Sequence, residues 1–395
     1  MKPLESQINL RVVNNTALPQ PVSILGILPN SNTANNNNFL YEFNFTGQSY
    51  VGVTNVSISI SNTSNPAVVV YNAPVTSQSI IGVVDALNTL NQGLFFYSGS
   101  TIYVSSNYYI YSNISIAGTS ILGTTGTSPV RLVIDSFSNV YTSNFASNNV
   151  SKITLSGVST ILGTTGTSPI GITIDASGNI YTANFTSNNV SKITPLGVST
   201  ILGTTGTNPS GITIDASGNI YTANTTSNNV SKITPLGVST ILGTTGNSPR
   251  GITIDASGNI YTTNGNSNNV SKITSLGVST ILGTTAINPN QIVLDSSNNV
   301  YVTNSGSDNI TKITPLGVST IFATTGDAPI GIAIDSLGNL YVTNNFDNNV
   351  SKITPLGFSS ILSAVGLSPL GIAVDSSFNV FVCNSGNNNV SLIVQ

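Results

Sequence analysis

From Thr119 to Gln395 short apolar runs alternate with turns rich in Gly, Pro and Asn, and the runs come in fours. One set reads VSTIL (158–162), IGITI (170–174), NIYTA (179–183) and NVSKIT (189–194). Each run has the length and β-branched content of a strand, and turn formers separate them. The set then returns without insertion or deletion. Asp135, Asp175, Asp215, Asp255, Asp295, Asp335 and Asp375 stand 40 residues apart, and Pro129, Pro169, Pro209, Pro249, Pro289, Pro329 and Pro369 keep the same step. A period near 40 with four short strands per unit is the signature of a β-propeller. The predicted fold is mainly β, with a seven-bladed β-propeller of four-stranded blades over residues 118–395.

The strand count also predicts how the ring closes. The first copy opens with TSILG at Thr119, whereas the last ends with NVSLIVQ at Gln395. The seventh blade therefore lacks an outermost strand, and a spare one stands near Thr119. Placing the spare on the last blade completes all seven and hides an open sheet edge. Within IGITIDASGNIYTAN, the glycine at Gly171, Gly211, Gly251, Gly331 and Gly371 lets inner strands crowd round the axis; Leu132 and Gln291 are read in its place in the other two copies. The seven aspartates are read as a structural ring, each carboxylate capping its own Asp-x-x-Gly-Asn turn. The competing reading is a cation held by carboxylates around the axis. The turn reading is preferred, so no metal and no cofactor is expected.

Residues 1–117 lack the repeat. INLRVV, SILGIL, FLYEFNF, VTNVSISIS and AVVVYNA, separated by Asn, Pro, Gly and Ser, read as strands of an antiparallel sheet or sandwich. One segment differs: Ile80, Val83, Val84, Leu87 and Leu90 have helical spacing, which predicts one amphipathic helix over 79–91, closed by Gly93. The expectation is a β-rich α+β domain that docks the protein to partners. A degenerate eighth blade around 95–116 would lack the Pro-x-Gly and Asn-Asn-Val markers.

Composition narrows the function. Charged residues are 6% of the chain and the net charge is −3, so attraction to nucleic acid is not expected. No apolar run approaches the roughly 20 residues of a membrane helix, so no membrane insertion is expected either. The opening MKPLESQINLRVVNN has no apolar core of signal-peptide length, which makes cytoplasmic synthesis the expectation. There is no histidine and one cysteine, Cys383. Most general-base, metal and triad chemistries need one or the other, so the chain is expected not to be an enzyme and no catalytic residue is assigned. Cys383 replaces Ala183 and Thr263 inside an apolar strand and reads as a small buried filler.

Taken whole, Pro-x-Gly-Ile-x-x-Asp-x-x-Gly-Asn-Ile-Tyr-x-x-Asn…Asn-Asn-Val-x-Lys-Ile resembles the NHL repeat, and it resembles the seven-bladed propellers of the virginiamycin B lyase type. The resemblance covers residues 119–395. It implies the propeller fold, and in the lyases a histidine with a bound metal ion, a role that no position of this histidine-free chain can take.

Comparing the copies with one another separates constant from varied segments. The Asp-x-x-Gly-Asn and Thr-Pro-Leu-Gly turns barely change. The connections before the inner strand and after the second strand do, and in a propeller both emerge on one face. The odd residues collect there: Arg131, Phe145, Phe185, Arg250, Asp308, Asp327, Phe346 and Asp347. This face is the candidate contact for a glycan or protein, because loops on a rigid scaffold carry binding. Six lysines from Lys152 to Lys352 also recur, to pair with aspartates or cover strand edges. The resulting expectation is a structural or attachment protein of a large assembly, a virus or phage particle, anchored through residues 1–117 and located in the virion or another extracellular assembly. A cell-surface adhesion or scaffold propeller is the alternative, and a lyase-like enzyme stands third because histidine is absent.

Overall fold

The structure is a computed structural model that describes residues 118–395 continuously and, before them, strand segments only. The chain divides into two compact units, Met1–Ile116 and Ala117–Gln395. In the first, Gln7–Asn14 and Asn55–Asn62 form the centre of a four-stranded sheet, and Phe39–Asn44, Thr101–Ser105 and Gly93–Phe96 the middle of a five-stranded one. The helix expected over 79–91 lies outside the described residues except at Val83 and Val84. Those two form a short strand paired with Phe95 and Leu94. Two adjacent β-branched side chains suit that extended backbone.

Residues 118–395 form seven four-stranded antiparallel sheets, the blades. In blade 1 the order from the axis outward is Pro129–Ile134, Val140–Asn144, Asn149–Ile153 and Ser159–Thr164, and each of the next five blades repeats it 40 residues on. Blade 7 takes three strands from its own repeat, Pro369–Val374, Val380–Asn384 and Asn389–Val394, and its outermost from Gly118–Thr124. That strand runs antiparallel, with Thr119 opposite Ile393 and Thr124 opposite Asn389. The split seventh blade is the one that the strand count predicts.

The core consists of seven layers, each between two neighbouring blades. Tyr181, Ala183 and Val190 of blade 2 pack on Ile212, Ile220 and Ile233 of blade 3. The closing layer is built the same way, with Phe381, Cys383 and Val390 of blade 7 against Leu132, Val140 and Ile153 of blade 1. Every second strand is buried along its whole length, for example Ile180–Asn184. A strand covered on both faces has no reason to alternate, which is why its sequence does not.

A belt of side-chain hydrogen bonds ties the blades at one face. The amide of Ser168 donates to Oδ1 of Asn148 at 2.7 Å, and the same bond recurs at each step to Ser128, whose amide donates to Asn388 at 2.8 Å and closes the circle. Asn148 and its counterparts sit at positive φ, 54° at Asn148 itself, where asparagine is better tolerated than most residues.

The strand register corrects one residue of the sequence reading. Arg131 faces Ser143 as Gly171 faces Ala183, so Arg131, not Leu132, occupies the glycine position in blade 1. The crowding argument holds at the glycines: a Cβ on Gly171 would lie 2.7 Å from the carbonyl oxygen of Ser210 in the next blade.

Candidate functional site

The varied face is built from paired loops. In blade 1 the amide of Phe145, after the second strand, donates to the carbonyl of Ser128, before the inner strand, at 2.9 Å. The same bond recurs in every blade, through Ser385 to Ser368 in the last. Both varied connections therefore do emerge at one end of the ring. The eight candidate residues, however, do not form one cluster. Phe145 and Phe185 belong to neighbouring blades 1 and 2, whereas Asp327, Phe346 and Asp347 belong to blade 6.

Several of the eight have structural tasks. Asp308 takes the belt position, accepting from the amide of Ala328 at 3.0 Å with φ at 51°. Asp347 accepts from the amide of Asp327 at 2.8 Å, as Ser187 accepts from Thr167 in blade 2. The guanidinium of Arg250 lies over Gly265, and its Nη1 donates to Asn288 Oδ1 at 2.7 Å; burial lowers its pKa. Arg131 turns inward and lines an axial cavity. Phe145 and Phe346 remain exposed, Phe346 by 70%. Two apolar residues that the sequence reading passed over, Ile287 and Leu367, stand exposed in the same loops. Their signal was present in the varied strings INPN and LSPL.

The aspartate ring is a set of turn caps. Asp175 Oδ1 accepts from the amides of Ser177 and Asn179, and Oδ2 accepts from Asn179 Nδ2 at 2.8 Å and the Tyr181 hydroxyl at 3.0 Å. Burial alone would raise this carboxyl, but the hydrogen bonds outweigh it and hold Asp175 below the usual carboxylate range. Asp135, Asp215, Asp255 and Asp295 are lowered in the same way. In turn, burial first and the neighbouring carboxylate second push the tyrosines up, Tyr141 to about 12. No group of three His, Cys, Asp or Glu among the described residues is placed to hold a metal ion.

Among the described residues the recurrent lysines form no ion pair with the aspartates. Each lies over the tyrosine ring facing it on the next strand, Lys192 over Tyr181 at 5.7 Å and Lys312 over Tyr301 at 5.3 Å. Blade 7 replaces both partners together, with Phe381 opposite Leu392. Having lost the tyrosine hydroxyl, Asp375 accepts instead from Ser138 Oγ of blade 1 at 2.8 Å. Cys383 is fully buried, receives the amide of Gly371 on Sγ at 3.0 Å, and is pushed up by burial to about 12. It is the filler that its strand context predicts.

The rim is the feature that sequence reasoning missed. Leu196, Leu236, Leu276 and Leu316, in the turns before the outer strands, are 91–94% exposed. Just before those strands Val198, Val238 and Val278, and on them Ile201, Ile241 and Ile281, are also exposed. A leucine between Pro and a positive-φ glycine, as at Leu196 beside Gly197, has no strand neighbour to cover it. That was the available signal. Each outer strand carries a β-bulge, as between the Val190–Gly203 and Ser191–Ile201 pairs, a device that discourages indiscriminate edge pairing.

A model of the virginiamycin B lyase family matches residues 116–344 and 198–395. Among solved structures, the virginiamycin B lyase of Staphylococcus aureus superposes with a TM-score of 0.63 at 18% identity, over 70% of this chain and 99% of that one. A catalytically inactive histidine-to-alanine variant of the same lyase, solved with quinupristin, gives 0.63 at 19% identity over 70% and 98%. The WD40 propeller domain of Doa1 gives 0.60 at 10% identity over 71% and 97%. At these identities the structural likenesses speak for the fold alone. No curated protein matches the chain significantly. The family match corrects one expectation. A chain matched by a family named for a lyase cannot be set down as a non-enzyme because it lacks histidine. That absence removes one general base and leaves Asp, Tyr, Lys and Arg side chains in place.

Proposed function

The chain belongs to the virginiamycin B lyase family, and on that premise we propose that this member is a structural or attachment component of a large assembly such as a virus or phage particle. Its propeller packs through the rim against neighbouring subunits and turns the varied face to a glycan or protein. The observation that carries this reading is the apolar rim. Leucines 91–94% exposed, with exposed Val before and Ile on the edge strands that follow, recur round the ring. Large exposed apolar side chains repeated on sheet edges support an interaction surface. With 6% charged residues, the chain has few charges to keep such side chains apart in solution. Mass spectrometry of purified particles and of cell envelopes from the native source tests it. The protein is expected in the particles at a fixed ratio to the other shell proteins, and recovery with the envelopes alone contradicts the reading.

Family membership favours a second reading, action on a streptogramin. The inactive relative bound to quinupristin has lost a histidine, and this chain has none. Loss of quinupristin on incubation with the purified chain, followed by mass spectrometry, supports that reading, and an unchanged amount removes it.

A further inference from the structure

The glycine position of the inner strand sets the width of the axis. In five blades it is Gly, and the cavity bounded by Gly171, Gly211, Gly331 and Gly371 has a volume of about 110 Å³. The other two blades place polar side chains there, Arg131 in blade 1 and Gln291 four blades further round, nearly opposite. The remaining lining is aliphatic, including Leu132, Ile172 and Ile212.

Arg131 lies deep in the protein yet keeps part of its surface open to this cavity. Its backbone amide donates to Ser143 Oγ at 3.3 Å, but its guanidinium has no hydrogen-bond acceptor and no ion-pair partner among the described residues. Burial lowers its pKa to about 10, which leaves it a cation at neutral pH. The titratable group that acts on it is Cys383, whose thiol burial raises to about 12, so no counter-charge comes from there. Gln291 Nε2 makes only a long 3.4 Å bond to the carbonyl of Asn290. A buried guanidinium without an anion is costly, and its fork of donors matches a flat carboxylate.

We propose that the axial cavity is a binding site for a short-chain aliphatic carboxylate, gripped at its head by the Arg131 guanidinium and the Gln291 amide, with its alkyl tail against the Leu132 and Ile172 side chains. The site is separate from the rim and does not depend on the assembly reading. The apolar lining selects for a carboxylate with a hydrocarbon tail over an anion that is hydrated on every side, such as phosphate.

Isothermal titration of the full chain with sodium butyrate and with sodium phosphate, at constant ionic strength, tests the proposal. Two variants accompany the wild type. Arg131→Gly restores the residue of five sister blades, and Arg131→Gln copies blade 5, so both place a residue that the ring already accepts at this position. Wild type is expected to bind butyrate saturably at one site per chain. Both variants are expected to bind it about tenfold or more weakly, with unchanged circular dichroism. Equal butyrate binding by wild type and variants, no saturable binding by wild type, or phosphate binding as tight as butyrate would each overturn it.

Discussion

Thr142, Thr182, Thr222 and Thr262 are valines in the last three blades, and that one change decides whether a buried amide is satisfied. In blade 1 the Thr142 hydroxyl bonds Asn144 Oδ1 at 2.9 Å, while Asn144 Nδ2 donates to Asn149 and Ser151. In blades 5, 6 and 7 the residue is Val302, Val342 or Val382, and Oδ1 of Asn304, Asn344 and Asn384 has no partner among the described residues. A buried half-satisfied amide carries a desolvation penalty. Val302→Thr is therefore expected to stabilise the propeller by about 0.5–1.5 kcal/mol, and Thr142→Val to destabilise it by about 1–3 kcal/mol. Denaturant midpoints at constant m-value check both.

The titrating residues give a pH profile with its sign fixed. Asp135, Asp175, Asp215, Asp255 and Asp295 are lowered from 3.8 in the folded chain. Their contribution is present above that value and is lost as pH falls through the lower folded values. The paired tyrosines are raised above 10.0, so theirs is present below pH 10 and fades above it. With no histidine to titrate between, the melting temperature is expected to be flat from about pH 5 to 9 and to fall on both sides. A step near pH 6.5 in a thermal scan series would contradict this. The turn-capping role of these aspartates was legible in Asp-x-x-Gly-Asn, since each carboxylate reaches amides two and four residues on. The Lys–Tyr pairs were not, because they need the register of two strands.

At the level of strands, ring closure was legible because it is a matter of counting. Seven inner strands and seven outer ones balance only with Gly118–Thr124 on the last blade. What counting does not supply is the belt from Asn148 to Ser168, whose partners lie 20 residues apart in sequence and meet only once blades stack. The closing strand separates burial from mere pairing. Leu122 is 8% exposed and packs in the blade 7–blade 1 layer, whereas its neighbour Ile121 faces solvent. Leu122→Ala is expected to cost about 2–5 kcal/mol, and Ile121→Ala within about 0.5 kcal/mol of nothing. Equal losses measured by equilibrium unfolding would mean that this strand does not close the ring.

Over the whole propeller, the sequence divides into an inner part that specifies the fold and an outer part that does not need to. Inter-blade layers, glycine crowding and turn caps explain nearly every residue that recurs. The leucines of Thr-Pro-Leu-Gly recur from blade 2 to blade 6 yet are almost fully exposed among the described residues, as Leu196 and Leu316 show. Sequence alone hid this, because an apolar residue in a constant turn looks like core until its surroundings are seen. The axial arginine was hidden differently, by a reading that placed Leu132 at the glycine position. In the reading proposed above, the rim carries the assembly contacts. Sedimentation velocity of the full chain over a concentration series, for wild type and for a variant combining Leu196→Asn, Leu236→Asn, Leu276→Asn and Leu316→Asn, measures it. Wild type is expected to associate as concentration rises while the variant stays monomeric with an unchanged melting temperature. A wild-type chain that sediments as a monomer throughout, indistinguishable from the variant, contradicts assembly through the rim.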